Sequence, residues 1–321
     1  MTTDGHILIT GGAGFLGSHL AAYALSQGSH VTVMDDLSTG ELRNIEKIRH
    51  HPHFRFLYTD VREEQHWTGP LDVIFNLASP ASPPVYSADK IGCLTTNALG
   101  AHTVAQLAHV TGARLVQAST SEVYGDPLEH PQRETYLGNV NPVGPRSCYD
   151  EGKRYAEAYL TAHREEYGTD TGIVRIFNTY GPHMSPYDGR VISNLIHQAL
   201  SGESLTVYGN GTQTRSFCYV DDLIRALWAM GESHHPGPIN IGNPDEYTVG
   251  EIALEILHAT GSSSGIEYRP LPPEDPTRRK PDITRAREVL NWFPETPLHV
   301  GLARTIEWHR EVISRSQASK G

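Results

Sequence analysis

The 321-residue chain lacks the features that mark secreted, membrane and disulfide-rich proteins. It has only three cysteines, Cys93, Cys148 and Cys218, an odd number without paired spacing, so no disulfide framework is expected. No apolar run approaches the length that a membrane helix needs. Residues 1–6 also lack the basic and then apolar layout of a signal peptide. We therefore expect a cytoplasmic protein without a membrane partner.

A net positive charge and metal-ligand spacing are missing as well. The formal net charge is −11, which excludes nucleic acid as a general partner and requires local cations for any anionic ligand. Histidines are frequent, but His51-Pro52-His53 and His234-His235 lack a third ligand at usable spacing, so no metal is expected. No serine lies in a nucleophile-elbow pattern, and hydrolysis is therefore unsupported.

The N-terminus contains a glycine-rich turn between a predicted strand and a predicted helix. Ile7-Leu8-Ile9 is a short apolar run, and it leads into Thr10-Gly11-Gly12-Ala13-Gly14-Phe15-Leu16-Gly17. The glycines at 11, 14 and 17 precede an apolar helical pattern. A strand, a tight glycine turn and a helix N-terminus are typical of dinucleotide binding, because the backbone can approach a pyrophosphate there.

Acidic residues follow the next strands where a dinucleotide would need them. The second predicted strand, residues 31–34, ends in Asp35 and Asp36, at about the ~20-residue offset of a ribose-binding acid. These two carboxylates would repel a 2′-phosphate, so NAD is favoured over NADP. The third, Phe54 to Tyr58, leads to Asp60 and Val61, predicted to meet the adenine. The fourth, Val73 to Ala78, places small residues near the diphosphate.

A second group of polar residues predicts oxidation of an alcohol. Tyr149 and Lys153 are four residues apart, so a helix places them on one face. We expect the lysine charge to lower the pKa of the tyrosine toward the range of a general base. Thr120 and Glu122 are expected to face the same reacting atom from a strand end, with the carboxylate available for a second step.

Alternating strands and helices predict an α/β fold with a Rossmann-type doubly wound parallel sheet. We assign residues 1–182 to a dinucleotide-binding domain and residues 183–321 to a smaller C-terminal substrate-binding cap, with a cleft between them. Residues 219–243, with a helix predicted at 222–230 after a strand at 217–220, could return to the first domain. The tail from Thr248 predicts two helical segments joined by a proline-rich link, Pro270 to Pro281.

The motifs together resemble a known enzyme group over essentially the whole chain. The glycine turn, Asn76-Leu77-Ala78, Tyr149-x-x-x-Lys153 and residues 175–182 resemble the extended short-chain dehydrogenase/reductases that act on nucleotide sugars. Longer segments are similar to the UDP-glucuronate decarboxylase family within that group. They are residues 78–84, 119–127, 148–154 and 279–282.

The resemblance implies a function and a set of site residues. It implies NAD-dependent decarboxylation of UDP-glucuronate to UDP-xylose, by oxidation at C4, loss of CO2 and re-reduction. The implied catalytic residues are Thr120, Ser121, Glu122, Tyr149, Lys153 and Arg279. The implied NAD-binding residues are Gly11, Gly14, Phe15, Leu16, Gly17, Asp35, Asp36, Asp60, Val61, Leu77 and Ala78, with Tyr149 and Lys153. The implied UDP-sugar-binding residues are Pro84, Tyr86, Glu122, Asn178, Arg190, Tyr208, Gln213, Arg215 and Arg279.

Other functions stay open at the level of sequence. A 4-epimerase uses the same tyrosine and lysine without needing Glu122. A 4,6-dehydratase needs an acid where this chain has Ser121, so elimination of water is disfavoured. A decarboxylase could also release the 4-keto pentose together with NADH, and a redox-sensing binding module could keep the fold without the chemistry.

The resemblance also implies a homodimer. The helices at Gly100–Val110 and Tyr149–Tyr167 form a four-helix bundle between subunits in relatives. Ala101, Val104, Ala105 and Ala108 offer a small-residue face for such close packing.

Overall fold

The computed structural model describes residues 4–271 and 278–318. Part of the predicted proline-rich link, residues 272–277, lies outside the described residues, as do 1–3 and 319–321 of the predicted domains. The strands are β1 His6–Thr10, β2 His30–Asp35, β3 Phe54–Tyr58, β4 Val73–Asn76, β5 Arg114–Thr120, β6 Thr171–Ile176, β7 Thr179–Tyr180, β8 Leu205–Tyr208, β9 Thr214–Ser216, β10 Cys218–Tyr219, β11 Ile239–Ile241, β12 Glu246–Thr248, β13 Ile266–Arg269 and β14 Arg278–Arg279. The helices are α1 Phe15–Ser26, α2 Pro83–Ala88, α3 Lys90–Thr111, α4 Ser147–Tyr167, α5 Val191–Ser201, α6 Val220–Glu232, α7 Val249–Thr260, α8 Thr284–Leu290 and α9 Leu298–Ala318.

Within the described part of the chain, the main sheet has seven strands in the order β3-β2-β1-β4-β5-β6-β11. All of its pairings are parallel. The chain moves outward from β1 to β3 and then crosses to β4 on the other side. The strand order therefore reverses between β1 and β4, and the predicted Rossmann-type doubly wound sheet is confirmed.

Successive apolar residues of β1 pack on opposite faces of the sheet, because side chains alternate along a strand. Ile7 and Ile9 contribute to one buried layer, which also includes residues of α1 and α6. Leu8 contributes to the other layer, with residues of α3 and α4. Both faces of the sheet are thus covered, as a parallel sheet requires.

The C-terminal elements build a second, smaller part against the ends of the sheet strands. There β8 pairs with β13, and β9 lies between β12 and β14. In the same part, α7 packs against both α5 and α9. Strand β11 instead pairs with β6, so this segment of the chain is physically part of the main sheet.

Some predicted element boundaries were wrong. Val220 begins α6 rather than ending a strand, since Asp221 and Asp222 in the first turn suit a helix N-terminus. Strand β4 ends at Asn76, before Ala78, because the chain turns there to pass close to Gly11. Among the described residues, the tail contains three helices, α7, α8 and α9, rather than two. No helix in the described ranges combines the length and apolarity needed to cross a membrane.

Candidate active site

One large cleft opens at the carboxyl ends of the sheet strands, where their order reverses. Its volume is about 920 Å³, and residues of both the main sheet and the C-terminal elements line it. Ligands of doubly wound sheets bind at this reversal point, because the loops after the two diverging strands leave a crevice.

The glycine turn brings backbone to the floor of this cleft. Gly11 has φ +67°, and a Cβ there would lie 2.8 Å from the amide nitrogen of Ala78. A Cβ on Gly17 would lie 2.2 Å from the carbonyl oxygen of Gly11, so only glycine allows this close packing. Helix α1 starts at Phe15, and Gly14 before it provides no side-chain cap. The first amide groups of α1 are therefore suited to binding a phosphate.

Asp35 ends β2, Asp36 follows it, and both line the cleft. The Oδ2 atom of Asp35 accepts a hydrogen bond from Ala13 N at 2.9 Å, and its Oδ1 atom accepts one from Leu37 N at 2.8 Å. These bonds fix the carboxylate beside the glycine turn. Burial raises the pKa of Asp35, which the two backbone bonds partly oppose.

Asp60 is the one predicted site residue that does not line the cleft. The Nε atom of Arg62 donates to Asp60 Oδ1 at 2.9 Å and to Oδ2 at 2.8 Å. This interaction lowers the pKa of Asp60 and engages both carboxylate oxygens. The predicted contact between Asp60 and adenine stays a prediction, and the sequence did not reveal the neighbouring arginine as a partner of this carboxylate. Val61 does line the cleft.

Tyr149, Lys153 and Thr120 meet where α4 crosses the end of β5. The Lys153 Nζ atom lies 5.8 Å from the centre of the Tyr149 ring and donates a hydrogen bond to Ala118 O at 2.8 Å. The Thr120 side chain hydrogen-bonds the Tyr149 hydroxyl. Tyr86 of α2 stacks on Tyr149, with ring centres 5.4 Å apart. The predicted cluster is therefore assembled, and Tyr86 packs against its tyrosine ring.

The electrostatics of Tyr149 differ from the expectation. Burial raises the pKa of its hydroxyl, while the charge of Arg190 and the hydrogen bond with Thr120 act in the opposite direction. Burial also lowers the pKa of Lys153 to about 8. Burial therefore outweighs local charge here, and the groups that favour the phenolate are Arg190 and Thr120.

Glu122 lies in a short 3₁₀ segment, Ser121–Tyr124, directly after β5. Arg279 donates to it through two bonds, Nη1 to Oε1 at 2.5 Å and Nη2 to Oε2 at 2.8 Å. The Nη2 atom of Arg146 also donates to Oε2. Burial opposes the charged form of Glu122, but Arg279, Arg146 and Arg215 outweigh it and hold its pKa below the usual range. Glu122 is therefore a carboxylate at neutral pH.

The arrangement of β14 beside β9 explains why cations gather here. Their parallel pairing places Arg279 directly opposite Arg215. Both arginines are almost fully buried, and two buried like charges at this spacing need a neighbouring carboxylate. Glu122 reaches them from the main sheet, so the cluster joins the two parts of the molecule.

The remaining predicted substrate residues also line the cleft. Arg190, at the start of α5, donates from Nη2 to Ala81 O at 3.0 Å and pairs with Asp188 at 3.1 Å. Gln213 donates from Nε2 to Tyr208 O at 2.6 Å, which links these two residues. Residues of this group that line the cleft are Pro84, Tyr86, Asn178, Arg190, Tyr208, Gln213 and Arg215.

Sequence reasoning missed two residues of the cleft. Arg146 lies three residues before Tyr149, in a loop whose path no local pattern predicts, and it binds Glu122. His183 also lines the cleft, with φ +68° and its Nδ1 atom 2.9 Å from Ser18 Oγ. Burial lowers the pKa of His183 to about 4, so its ring is neutral near pH 7. The sequence signal that could have indicated His183 is its position as a polar residue directly after the Tyr180-Gly181-Pro182 turn.

The comparisons with known proteins agree with this geometry. The model of the NAD dependent epimerase/dehydratase family matches residues 7–242. The chain belongs to this family. Membership brings a cofactor of the NAD type.

Individual proteins of known activity are also similar to this chain. UDP-glucuronic acid decarboxylase 1 of Danio rerio is 49% identical over 302 residues, which cover 94% of this chain and 72% of that protein. UDP-glucuronic acid decarboxylase 5 of Arabidopsis thaliana is 49% identical over 301 residues, covering 92% and 86%. Among solved structures, UDP-glucuronic acid 4-epimerase from Bacillus cereus with UDP-glucuronic acid and NAD has a TM-score of 0.85 at 27% identity, covering 96% of this chain and 99% of that one.

Proposed function

We propose that this protein converts UDP-glucuronate to UDP-xylose and CO2, with NAD reduced and reoxidised within each turnover. One observation carries the proposal: Glu122, held by Arg279 and Arg146, opens onto the same cleft as Thr120, Tyr149 and Lys153. An alcohol oxidation and the handling of a carboxylate can thus act on one sugar. Decarboxylases of this substrate are 49% identical to the chain, which supports the same assignment.

The residues of the glycine turn fit an NAD molecule. A side chain at Gly11 or Gly17 would clash with the backbone that shapes the turn, and the uncapped start of α1 offers backbone donors to a diphosphate. Asp35 and Asp36 favour NAD, because a 2′-phosphate would meet two carboxylates. When bound, NAD accepts a hydride from the sugar and returns it at the end of the cycle.

Arginines and aromatic residues elsewhere in the cleft fit a UDP-sugar. We assign the diphosphate to Arg190, Arg215 and Asn178, because planar guanidinium groups bind phosphate through paired hydrogen bonds. Tyr208 and Gln213 contact the uridine in this assignment. Pro84 and Tyr86 form the wall beside the sugar. The substrate-binding cap proposed for residues 183–321 supplies most of these groups.

Tyr149 performs the first proton transfer. Its oxygen removes the proton of the C4 hydroxyl while the hydride leaves C4, and the hydrogen bond with Thr120 positions the reacting oxygen. The charge of Arg190 and the hydrogen bond with Thr120 stabilise the phenolate that the step requires. The product of this step is a ketone at C4, which is β to the sugar carboxylate.

The second step breaks the bond between C5 and the carboxyl carbon. The bonding electrons move into the C4 ketone as an enolate, and CO2 leaves. Glu122 and Ser121 face this centre, and Arg279 stabilises the negative charge. One proton is then added to C5, the hydride returns to C4, and Tyr149 returns its proton to the C4 oxygen. The net reaction consumes one proton.

The decisive experiment incubates purified protein with UDP-glucuronate and a catalytic amount of NAD. NMR follows the sugar nucleotide while CO2 is detected in parallel. We expect UDP-xylose and CO2 in equal amounts without net NADH. CO2 with a keto-pentose and one NADH per turnover would mean that the return hydride is lost. A product inverted at C4, without CO2, would overturn the proposal in favour of epimerisation.

A single substitution separates the two chemical steps. Glu122→Ala is expected to lower UDP-xylose formation by at least about a hundredfold, because the carboxylate between Arg279 and Arg146 is lost. NAD binding, measured by fluorescence titration, should stay within about twofold of wild type, since the glycine turn is untouched. Unchanged turnover would remove Glu122 from the catalytic residues.

A further inference from the structure

Asp150 is a buried carboxyl that the proposed reaction does not use. It lies in the first turn of α4, next to Tyr149, and is only 6% exposed. Its Oδ1 atom is buried and has no hydrogen-bond partner in the described part of the chain. Its Oδ2 atom lies 4.0 Å from Arg146 Nε. A buried carboxyl oxygen without a hydrogen-bond partner destabilises the folded state. The position of Asp150 therefore needs an explanation other than stability.

Arg146 connects Asp150 to the cleft. One end of its guanidinium, Nη2, donates to Glu122, and the Nε atom faces Asp150. A single cation is therefore shared by two carboxyl groups. Asp150 itself does not line the cleft, whereas Arg146 and Glu122 do. Any effect of Asp150 on a ligand therefore acts through its neighbours, of which Arg146 is the cation that it shares with Glu122.

The other groups around Asp150 come from four elements. Glu122 and Arg279 face it from the segment after β5 and from β14, and Glu151 is the next residue of α4, on its more exposed side. The Tyr149 and Tyr86 hydroxyls are also close enough for Asp150 to influence them. Arg146 and Arg279 are the cations of this set.

Of the two carboxyl groups at Arg146, only Asp150 changes charge near neutral pH. Burial, followed by the Glu122 charge, raises the pKa of Asp150 to about 7, while Arg146 and Arg279 oppose the rise. The pKa of Glu122 is lowered by its arginines, so it stays ionised. Below about pH 7 the cluster therefore carries one more positive charge than above it.

We propose that Asp150 is a positioning residue that sets the affinity of the cleft for a sugar carrying a carboxylate. When Asp150 is neutral, Arg146 is committed to Glu122, and the surplus charge of the arginines attracts the sugar carboxylate. When Asp150 is ionised, it competes for Arg146 and reduces that attraction. The inference rests on the proposed function, because it assumes that the sugar carboxylate binds beside Glu122 and Arg279.

The test uses the wild-type protein with NADH bound, which cannot accept a hydride and so prevents turnover, and compares two ligands by calorimetry. UDP-glucuronate carries the carboxylate, and UDP-glucose is the same ligand without it. Between about pH 6 and about pH 8.5, neither the diphosphate nor the glucuronate carboxyl titrates. We expect the Kd of UDP-glucuronate to rise roughly three- to tenfold relative to that of UDP-glucose, since one charge is lost from the site. Lys153 titrates in the same range, and the Asp150→Asn variant, which keeps Lys153, separates its effect from that of Asp150.

Two variants assign the effect to Asp150. In Asp150→Asn the ratio of the two Kd values should stay at its low-pH value throughout, because the amide cannot ionise. Glu151→Gln is the matched control: its side chain is 35% exposed and pairs with Arg154, so the pH dependence should persist. Circular dichroism and NAD titration check that each variant is folded.

The outcomes are separable from those of the proposed function. A wild-type ratio that is the same at both pH values overturns the inference without any variant. So does an Asp150→Asn protein that keeps the full pH dependence. The product assay decides the decarboxylase proposal independently: an enzyme that makes UDP-xylose but shows no pH-dependent discrimination contradicts only the role of Asp150.

Discussion

At the Tyr149 hydroxyl, burial and local charge act in opposite directions. Burial raises its pKa, while Arg190 and Thr120 favour the ionised form. The aromatic ring is fixed by Tyr86 on one face, so the hydroxyl is held in position even while protonated. A general base is effective when its position is fixed and a nearby cation stabilises its ionised form. Tyr86 fixes the ring of Tyr149, and Arg190 stabilises the phenolate.

Tyr149→Phe should therefore lower turnover by roughly two to four orders of magnitude, the usual contribution of general acid–base catalysis. The affinity for NAD should change little, because the ring and its stacking with Tyr86 are kept. Initial rates and an NAD titration on the same preparation measure the two effects.

Tyr155→Phe is the matched control for this prediction. It removes a hydroxyl from the same helix at a residue that is 46% exposed, and its turnover should equal that of wild type. A Tyr149→Phe enzyme that kept more than about a tenth of the rate would contradict the assignment of Tyr149 as the base.

At the scale of elements, α9 closes the C-terminal part of the molecule by packing against α5 and α7. His309 of α9 is fully buried, and neither of its ring nitrogens has a hydrogen-bond partner in the described residues. Burial, with a smaller contribution from His197, lowers its pKa from 6.5 to about 4. The helix therefore packs around a neutral imidazole, and protonation of this ring would destabilise the folded state.

Protonation of His309 should make the fold sensitive to acid. Below about pH 6.5 His309 is protonated in the unfolded chain but stays neutral in the folded chain. The free energy of unfolding therefore falls as the pH drops toward about 4. At ~1.4 kcal/mol per pH unit, the loss from this one group is about 3 kcal/mol. Urea unfolding at a series of pH values measures it.

His309→Leu should remove this contribution, because leucine fills a similar volume without titrating. Its stability near pH 7 should be close to that of wild type or higher, since two unpartnered nitrogens disappear. His66→Gln, at an exposed loop histidine, is the control and should keep the wild-type pH dependence. If His309→Leu lost stability with acid as steeply as wild type, other groups would be responsible.

At the scale of the whole molecule, the outer surface of α3 and α4 carries exposed apolar side chains. Ile91, Leu99 and Val110 of α3 are 72%, 50% and 76% exposed, and Tyr155 and Tyr167 of α4 are 46% and 58% exposed. A patch of this kind on two neighbouring helices favours contact with another chain. The predicted homodimer stays a prediction, and this surface is where we place it.

The prediction that small residues of α3 form this contact between subunits was wrong. Ala101, Val104, Ala105 and Ala108 are almost fully buried inside the single chain. The last three belong to the core layer between the sheet and its helices. Small residues on α3 therefore serve close packing within the subunit, because the helix must approach the sheet and α4.

Leu99→Glu should weaken the homodimer by placing a charge in the apolar patch. Leu254→Glu, at a leucine of α7 that is 60% exposed on another surface, should leave the mass unchanged. Light scattering at micromolar concentration reports the mass of each variant. A wild-type protein that is monomeric under these conditions would contradict the prediction of a dimer.

Local patterns in the sequence determined the sheet, the glycine turn and the pairing of Tyr149 with Lys153. Each depends on residues close together along the chain, where alternation, helical spacing and glycine fix the backbone directly. All but one of the site residues that these patterns or the family resemblance indicated line a single cleft. The exception, Asp60, is bound by Arg62, and nothing in a strand-end pattern indicates that pairing.

Only the tertiary structure decided how the charges of the site are shared. Arg279 is more than a hundred residues from Glu122, and it reaches the carboxylate because β14 pairs with β9 beside the end of β5. The same packing buries Asp150 next to Arg146 and raises the pKa of its carboxyl. The free energy of a charge depends on burial and on neighbours distant in the chain, so the sequence names the groups while the folded structure sets their protonation.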